Sequence, residues 1–184
     1  SIATKRETDF LEDIIEDLIC NQDEEDDDGD DDDGDEADVE DGCLAGQKGV
    51  VVIAAAGNSG MSIREYPAAE DIAGLLAVAA STEADTLAAF STYGRWVSAA
   101  APGEGLLSSV PLDSVPPGAQ PYGVWSGTSM AAPLAAGTAA LVRARFPDMQ
   151  AANVVTRINN TSKTISGPVQ RRIDAARAVG YAQR

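Results

Sequence analysis

The stretch 129–146 constrains this chain more than any other. Met130, Ala131, Ala132, Leu134, Ala135, Ala136, Ala139, Ala140, Leu141 and Val142 set apolar side chains nearly all round a helix that Pro147 stops. A helix with no polar face has to be covered on every side, so it is expected to be central and buried within a layered fold. Two runs suit its neighbours. Residues 50–56 and 75–80 are apolar at consecutive positions, as parallel strands covered on both faces are, and 95–101 reads as a third strand. Further helices are expected over 149–159 and 173–179, and the Gly/Pro/Ser-rich stretch 102–122 reads as a loop. Strands alternating with helices make the fold class α/β with a predominantly parallel sheet.

Charge divides the chain into three parts. Residues 23–41 hold 15 of the 30 acidic residues and no Lys or Arg, so the formal net charge of −17 is largely local. The remainder sets 13 basic residues against 15 acidic ones. A nearly neutral body lacks the basic footprint that phosphate backbones and anionic lipids require, which excludes nucleic acid and a membrane surface as partners. No apolar run approaches the ~20 residues of a membrane helix, and no signal peptide is visible. Segment 1–22 reads as an amphipathic helix over 8–19, with Leu11, Ile14, Ile15, Leu18 and Ile19 at helical spacing. Segment 23–41 repels itself and reads as a solvated loop or insertion. Segment 42–184 is the globular body, entered through a short helix over 38–48.

Calcium is the ligand such an acidic run could take. Placing Gly34 at the sixth position of an EF-hand loop puts Gly29 first, and placing Gly29 there puts Glu24 first and Asp35 last. The first register lacks the opening carboxylate and the second matches poorly at both ends, so no metal ligand is assigned and calcium stays open. Cys20 and Cys43 bracket the run; a bridge would stabilise by roughly 3 kcal/mol through loop closure, and two unrelated free thiols are the alternative.

Chemistry concentrates at Gly127-Thr128-Ser129-Met130-Ala131-Ala132-Pro133. A serine in the first turn of a buried helix sits where unpaired N–H groups and the helix dipole favour an anion, although most serines at such places are only N-caps. Taken with 54–60 (AAAGNSG), 66–68 (YPA), 90–94 (FSTYG), 100–103 (AAPG) and 172–176 (RIDAA), the run resembles the subtilisin-like serine proteases (subtilases, peptidase family S8), most nearly their thermitase-like branch. The blocks keep that family's order and spacing over about 48–179.

The resemblance implies the C-terminal part of a three-layer α/β catalytic domain and a serine endopeptidase that acts on polypeptides through an acyl-enzyme. It gives Ser129 the role of nucleophile and Asn58 that of oxyanion donor, with an αL turn residue as the alternative reading of Asn58. It places Ala55, Ala56 and Gly57 along the substrate. Glu65 falls at the floor of the primary specificity pocket, where a carboxylate would attract a basic side chain unless it pairs with Arg64 or turns to solvent. It also implies an extracellular or cell-envelope location.

The departures are as informative. The chain contains no histidine, and the Asp and His of the family's triad belong to an N-terminal half that is absent. A serine hydroxyl needs an adjacent base, so the chain alone is expected to be inactive and to require a segment carrying both residues, in the same or another chain. A non-catalytic pseudoprotease or protein-binding module with this fold is the alternative. Leu134 stands where the family usually has a histidine that is not the triad base. Without its N-terminal half the body should expose an apolar sheet edge beside 50–56 and fold poorly.

Overall fold

The computed structural model describes residues 49–181. The expected helices over 8–19 and 38–48, the acidic run and both cysteines lie outside the described residues. Three of the apolar runs form parallel strands: β1 (Val52–Ala55), β2 (Leu75–Ser81) and β3 (Ala99–Pro102), with Val52 opposite Leu75 and Val78 opposite Ala99. Every residue of β2 is buried, as a strand between two packed layers requires. After β3 comes a separate antiparallel hairpin, β4 (Leu106–Ser109) with β5 (Tyr122–Trp125). The helix α1 (Thr128–Arg145) follows, then α2 (Ala151–Thr161), the two-residue strands β6 (Lys163–Thr164) and β7 (Arg171–Arg172), and the single turn α3 (Ala175–Ala178). The main sheet has the order β1-β2-β3-β7-β6 and is parallel except for its last pair.

Side chains alternate across β2, as the pleat dictates. Leu76, Val78 and Ala80 meet Ala131, Ala135, Ala139 and Val142 of α1 and Val154 and Ile158 of α2. On the other face, Leu75 and Ala77 lie under Ala68, and Ala79 packs with Val97, Ile165 and Val169 from loops. Alanine predominates at the helix–sheet contact, which lets the two backbones approach closely.

The α/β class with a mostly parallel sheet is borne out, and four expectations are corrected. First, α1 is buried along one face only: Leu134 and Leu141 on the other are 45% and 54% exposed, and no described element covers them. Second, 102–122 is not all loop, because it holds β4 and the start of β5; both strands are largely exposed on each side, so neither periodic nor continuous apolar patterning marks them. Third, β3 begins four residues later than expected, since Gly94 to Ser98 form a turn in which Val97 N–H bonds the Gly94 carbonyl. Fourth, the last helix is one turn over Ala175–Ala178, started by the Asp174 side chain, which accepts from Arg177 N–H at 3.0 Å.

Candidate active site

Parallel sheets offer ligands the edge at the carboxyl ends of their strands, and the candidate residues gather there. β1 ends at Ala55, and the chain runs on through Ala56 and Gly57 to Asn58. β3 ends at Pro102, after which Gly103 donates its N–H to the Ser81 carbonyl and accepts from Gly127 N–H at 2.8 Å. Gly127 thereby ties the entry of α1 to the end of the sheet. Gly103 has to be glycine: a Cβ there would lie 2.6 Å from the Ala80 Cβ and 2.9 Å from the Gly127 carbonyl oxygen.

Ser129 is the second residue of α1, whose N-cap is Gly127. It is therefore not the N-cap that such serines usually are. Its side chain is exposed, and its N–H is among those a helix start leaves without an intrahelical acceptor. One turn on, Pro133 has no N–H to return to the Ser129 carbonyl.

Asn58 is held by Thr128. Its Oδ1 accepts the Thr128 N–H at 2.9 Å and the Thr128 hydroxyl at 3.1 Å, while Thr128 Oγ1 accepts the Gly57 N–H at 3.2 Å. Only an oxygen can meet a backbone N–H, so the amide orientation is fixed and Nδ2 is the end left to donate. That nitrogen lies over Gly127: a Cβ built there would stand 3.7 Å from it. Asn58 is also absent from the positive-φ residues, of which Asp85 is the one non-glycine example among the described residues, so the αL reading fails. The arrangement fixes a carboxamide against Thr128, the first residue of the helix whose second residue is Ser129. Such an array can stabilise the negative charge of a tetrahedral intermediate.

Of the residues assigned to substrate, Ala56 is fully buried and gives its N–H to the Val78 carbonyl at 2.9 Å, so it braces Gly57. Ala55 and Gly57 are half-buried. Glu65 lies against Gly57, and neither alternative for it holds: its Oε1 accepts from Thr92 Oγ1 at 2.9 Å, while Arg64 lies over the Trp96 ring at 5.6 Å. Sequence reasoning missed Thr128 and Thr92, which position Asn58 and Glu65. Each lies inside a family motif, GTSMAAP and FSTYG, but nothing in a threonine shows what its hydroxyl will hold.

On the other side of Ser129 the hairpin completes a cleft lined by Leu106, Leu107, Trp125, Ser129, Met130 and Leu134. No three His, Cys, Asp or Glu side chains among the described residues converge as a metal site. No helix among them is long and apolar enough to cross a membrane.

Comparison with known proteins agrees with this geometry. The chain is 40% identical over 141 residues to thermitase of Thermoactinomyces vulgaris, covering 74% of this chain and 47% of thermitase. It is 36% identical over 122 residues to the extracellular protease of Xanthomonas campestris pv. campestris, covering 65% of this chain and 21% of that protein. Among solved structures, a protease of Pseudoalteromonas arctica superposes with a TM-score of 0.63 at 32% identity, covering 72% of this chain and 42% of its own. The chain thus spans less than half the length of these relatives. The Subtilase family profile matches residues 13–181, and with the serine turn and the asparagine turn joined through Thr128, the chain belongs to the subtilase family.

Proposed function

We propose that this chain supplies the nucleophile and the oxyanion hole of a serine endopeptidase, with Ser129 attacking the scissile carbonyl and Asn58 Nδ2 and the Ser129 N–H stabilising the oxyanion. The observation that carries the reading is the clamp of Thr128 on Asn58 Oδ1, which leaves the amide nitrogen as the only end able to act. Attack transfers the Ser129 proton to a base and forms the acyl-enzyme as the leaving amine departs; water then releases the acid. None of the 184 residues is a histidine, so an imidazole base has to come from outside them; the family resemblance puts the aspartate that orients it there as well, and the chain alone is then inactive. The substrate is a polypeptide, and the setting is extracellular, as for the extracellular protease of Xanthomonas.

The absence of histidine favours one other reading, a non-catalytic module that keeps the fold. A fluorophosphonate probe followed by peptide mass mapping separates the two. In the native polypeptide that contains this sequence, label should appear on Ser129 and vanish in Ser129→Ala. A native polypeptide that takes no label at Ser129 is the non-catalytic module.

A further inference from the structure

The far end of α1 gathers cations. Arg143 and Arg145 stand in its last turn, where positive charge answers the negative end of the helix dipole. Arg157 has no such reason to be there, since it lies midway along α2, whose last turn carries no basic residue. It turns nonetheless to Phe146, the residue that ends α1, and its guanidinium lies 4.2 Å from the centre of that ring, with the Arg145 guanidinium at 5.2 Å. Arg157 Nε donates to the Ala178 carbonyl, which fixes the group. A ring and a carbonyl orient a guanidinium and leave its charge whole. No ion pair among the described residues includes Arg145 or Arg157. Arg145 is exposed and Arg157 half-buried, so two oriented cations share one ring and neither meets a described carboxylate.

The acid is supplied by the sequence. Residues 23–41 hold 15 acidic side chains and no Lys or Arg, and the path of the chain brings them to this end of α1. Gly49 is the first described residue, and its carbonyl accepts from the Arg143 guanidinium. Asp41 precedes Gly49 by eight residues, at most ~27 Å of extended chain. Arg145 is two residues beyond Arg143, only ~3 Å of helix rise. A partner tethered at that range acts at a millimolar effective concentration, so ion pairs too weak to hold a free peptide can hold the run. Ser129 lies at the opposite end of the same helix, ~24 Å away by its rise, which sets this surface apart from the candidate active site.

We propose that the face formed by Arg145, Phe146 and Arg157 is the docking surface for this chain's own acidic run, residues 23–41, whose carboxylates pair with the two guanidinium groups. The proposal does not depend on the endopeptidase reading.

Carbodiimide crosslinking of the native polypeptide that contains this sequence, read by mass mapping, is the first test. The reagent couples an amine to a carboxylate in contact with it, so Arg145→Lys and Arg157→Lys supply the amine and keep the charge. Positions 145 and 157 should each become joined to carboxylates of 23–41, and 1 M NaCl should lower the yield at least fivefold. The second test is the rate at which a glutamate-specific endoprotease cuts after Glu36 and Glu40. Arg145→Glu, a change at an exposed position, should raise that rate at least threefold, and Arg171→Glu on β7 should leave it unchanged. Crosslinks from 145 and 157 to body carboxylates such as Asp148 alone, or to the acidic run of a second molecule in a mixture of light and heavy chains, overturn the proposal. So does a yield indifferent to salt, or a cleavage rate that Arg145→Glu does not move.

Discussion

The two faces of α1 are almost equally apolar and meet opposite fates. Ala131, Ala135, Ala139 and Val142 are buried against the sheet and α2, whereas Leu134 and Leu141 stand open among the described residues with Ala136, Gly137 and Ala140. Shallow grooves run along the open side, one between Leu134, Leu141 and Ile173, another between Val50, Ile53 and Ala140. A soluble helix does not hold an apolar open face without a reason. The difference teaches that the composition of α1 records the complete fold, two layers deep, while the described residues supply one of them. The aligned part covers 47% of thermitase, which fits that account.

The largest effects are expected at that start, where the two faces meet. Ser129→Ala should abolish hydrolysis by the native protein; in a subtilisin, loss of the nucleophile lowers kcat by about 10⁶. Asn58→Ala should lower kcat by about 10²–10³ with little change in KM, the subtilisin magnitude for one lost oxyanion donor. A loss confined to KM would mean that Asn58 touches the ground state only. Steady-state kinetics on one peptide decides both.

A smaller effect puts the faces themselves to the test. Val142→Ala leaves a cavity in the closed face and should cost about 2 kcal/mol in urea unfolding of the chain. Leu141→Ala on the open face should stay within about 0.5 kcal/mol. Equal costs would break the comparison, because they would mean that Leu141 is covered by residues among 1–48 or by another copy. Repeating Leu141→Ala in the longer native protein sharpens it, since the cost should then rise towards that of Val142→Ala.

How far the sequence could be read follows from the same contrast. Strand β2 was legible because it is covered on both faces and so is apolar at every position. Helix α1 was legible in extent but not in burial, because an apolar face reads alike whether its cover is present or lies elsewhere. The hairpin β4–β5 was not legible, being half open on both sides. Within the site, Ser129 and Asn58 stand out because each lies in a family motif, GTSMAAP and AAAGNSG. Glu65 was found with its orientation undecided, since only the path of Arg64 towards Trp96 and the hydroxyl of Thr92 decide it.

The smallest expected effect lies at the far edge of the closed layer. Asp85 closes the turn after β2 with a φ of 58°, accepts a hydrogen bond from Lys163 at 2.6 Å and forms an ion pair with Arg172 Nε at 2.8 Å, joining that turn to β6 and β7. The hydrogen bond from Lys163 holds its carboxyl below the ordinary carboxylate range; partial desolvation opposes this, and the charge of Arg172 adds to it. A carboxyl lowered on folding contributes stability that is fully present above its unfolded value, ~3.9, and is lost as pH falls through its folded value. Between pH 5 and 8 the contribution is therefore constant. Asn tolerates the same left-handed φ, so Asp85→Asn removes the charge and keeps the turn. Urea midpoints of the two proteins should differ slightly at pH 7 and converge towards pH 3, and 1 M salt should narrow the gap at pH 7, because the ions are partly exposed. A gap that does not narrow at all between pH 5 and pH 3 would assign the effect to the turn, and the edge of the sheet would then be closed by backbone alone.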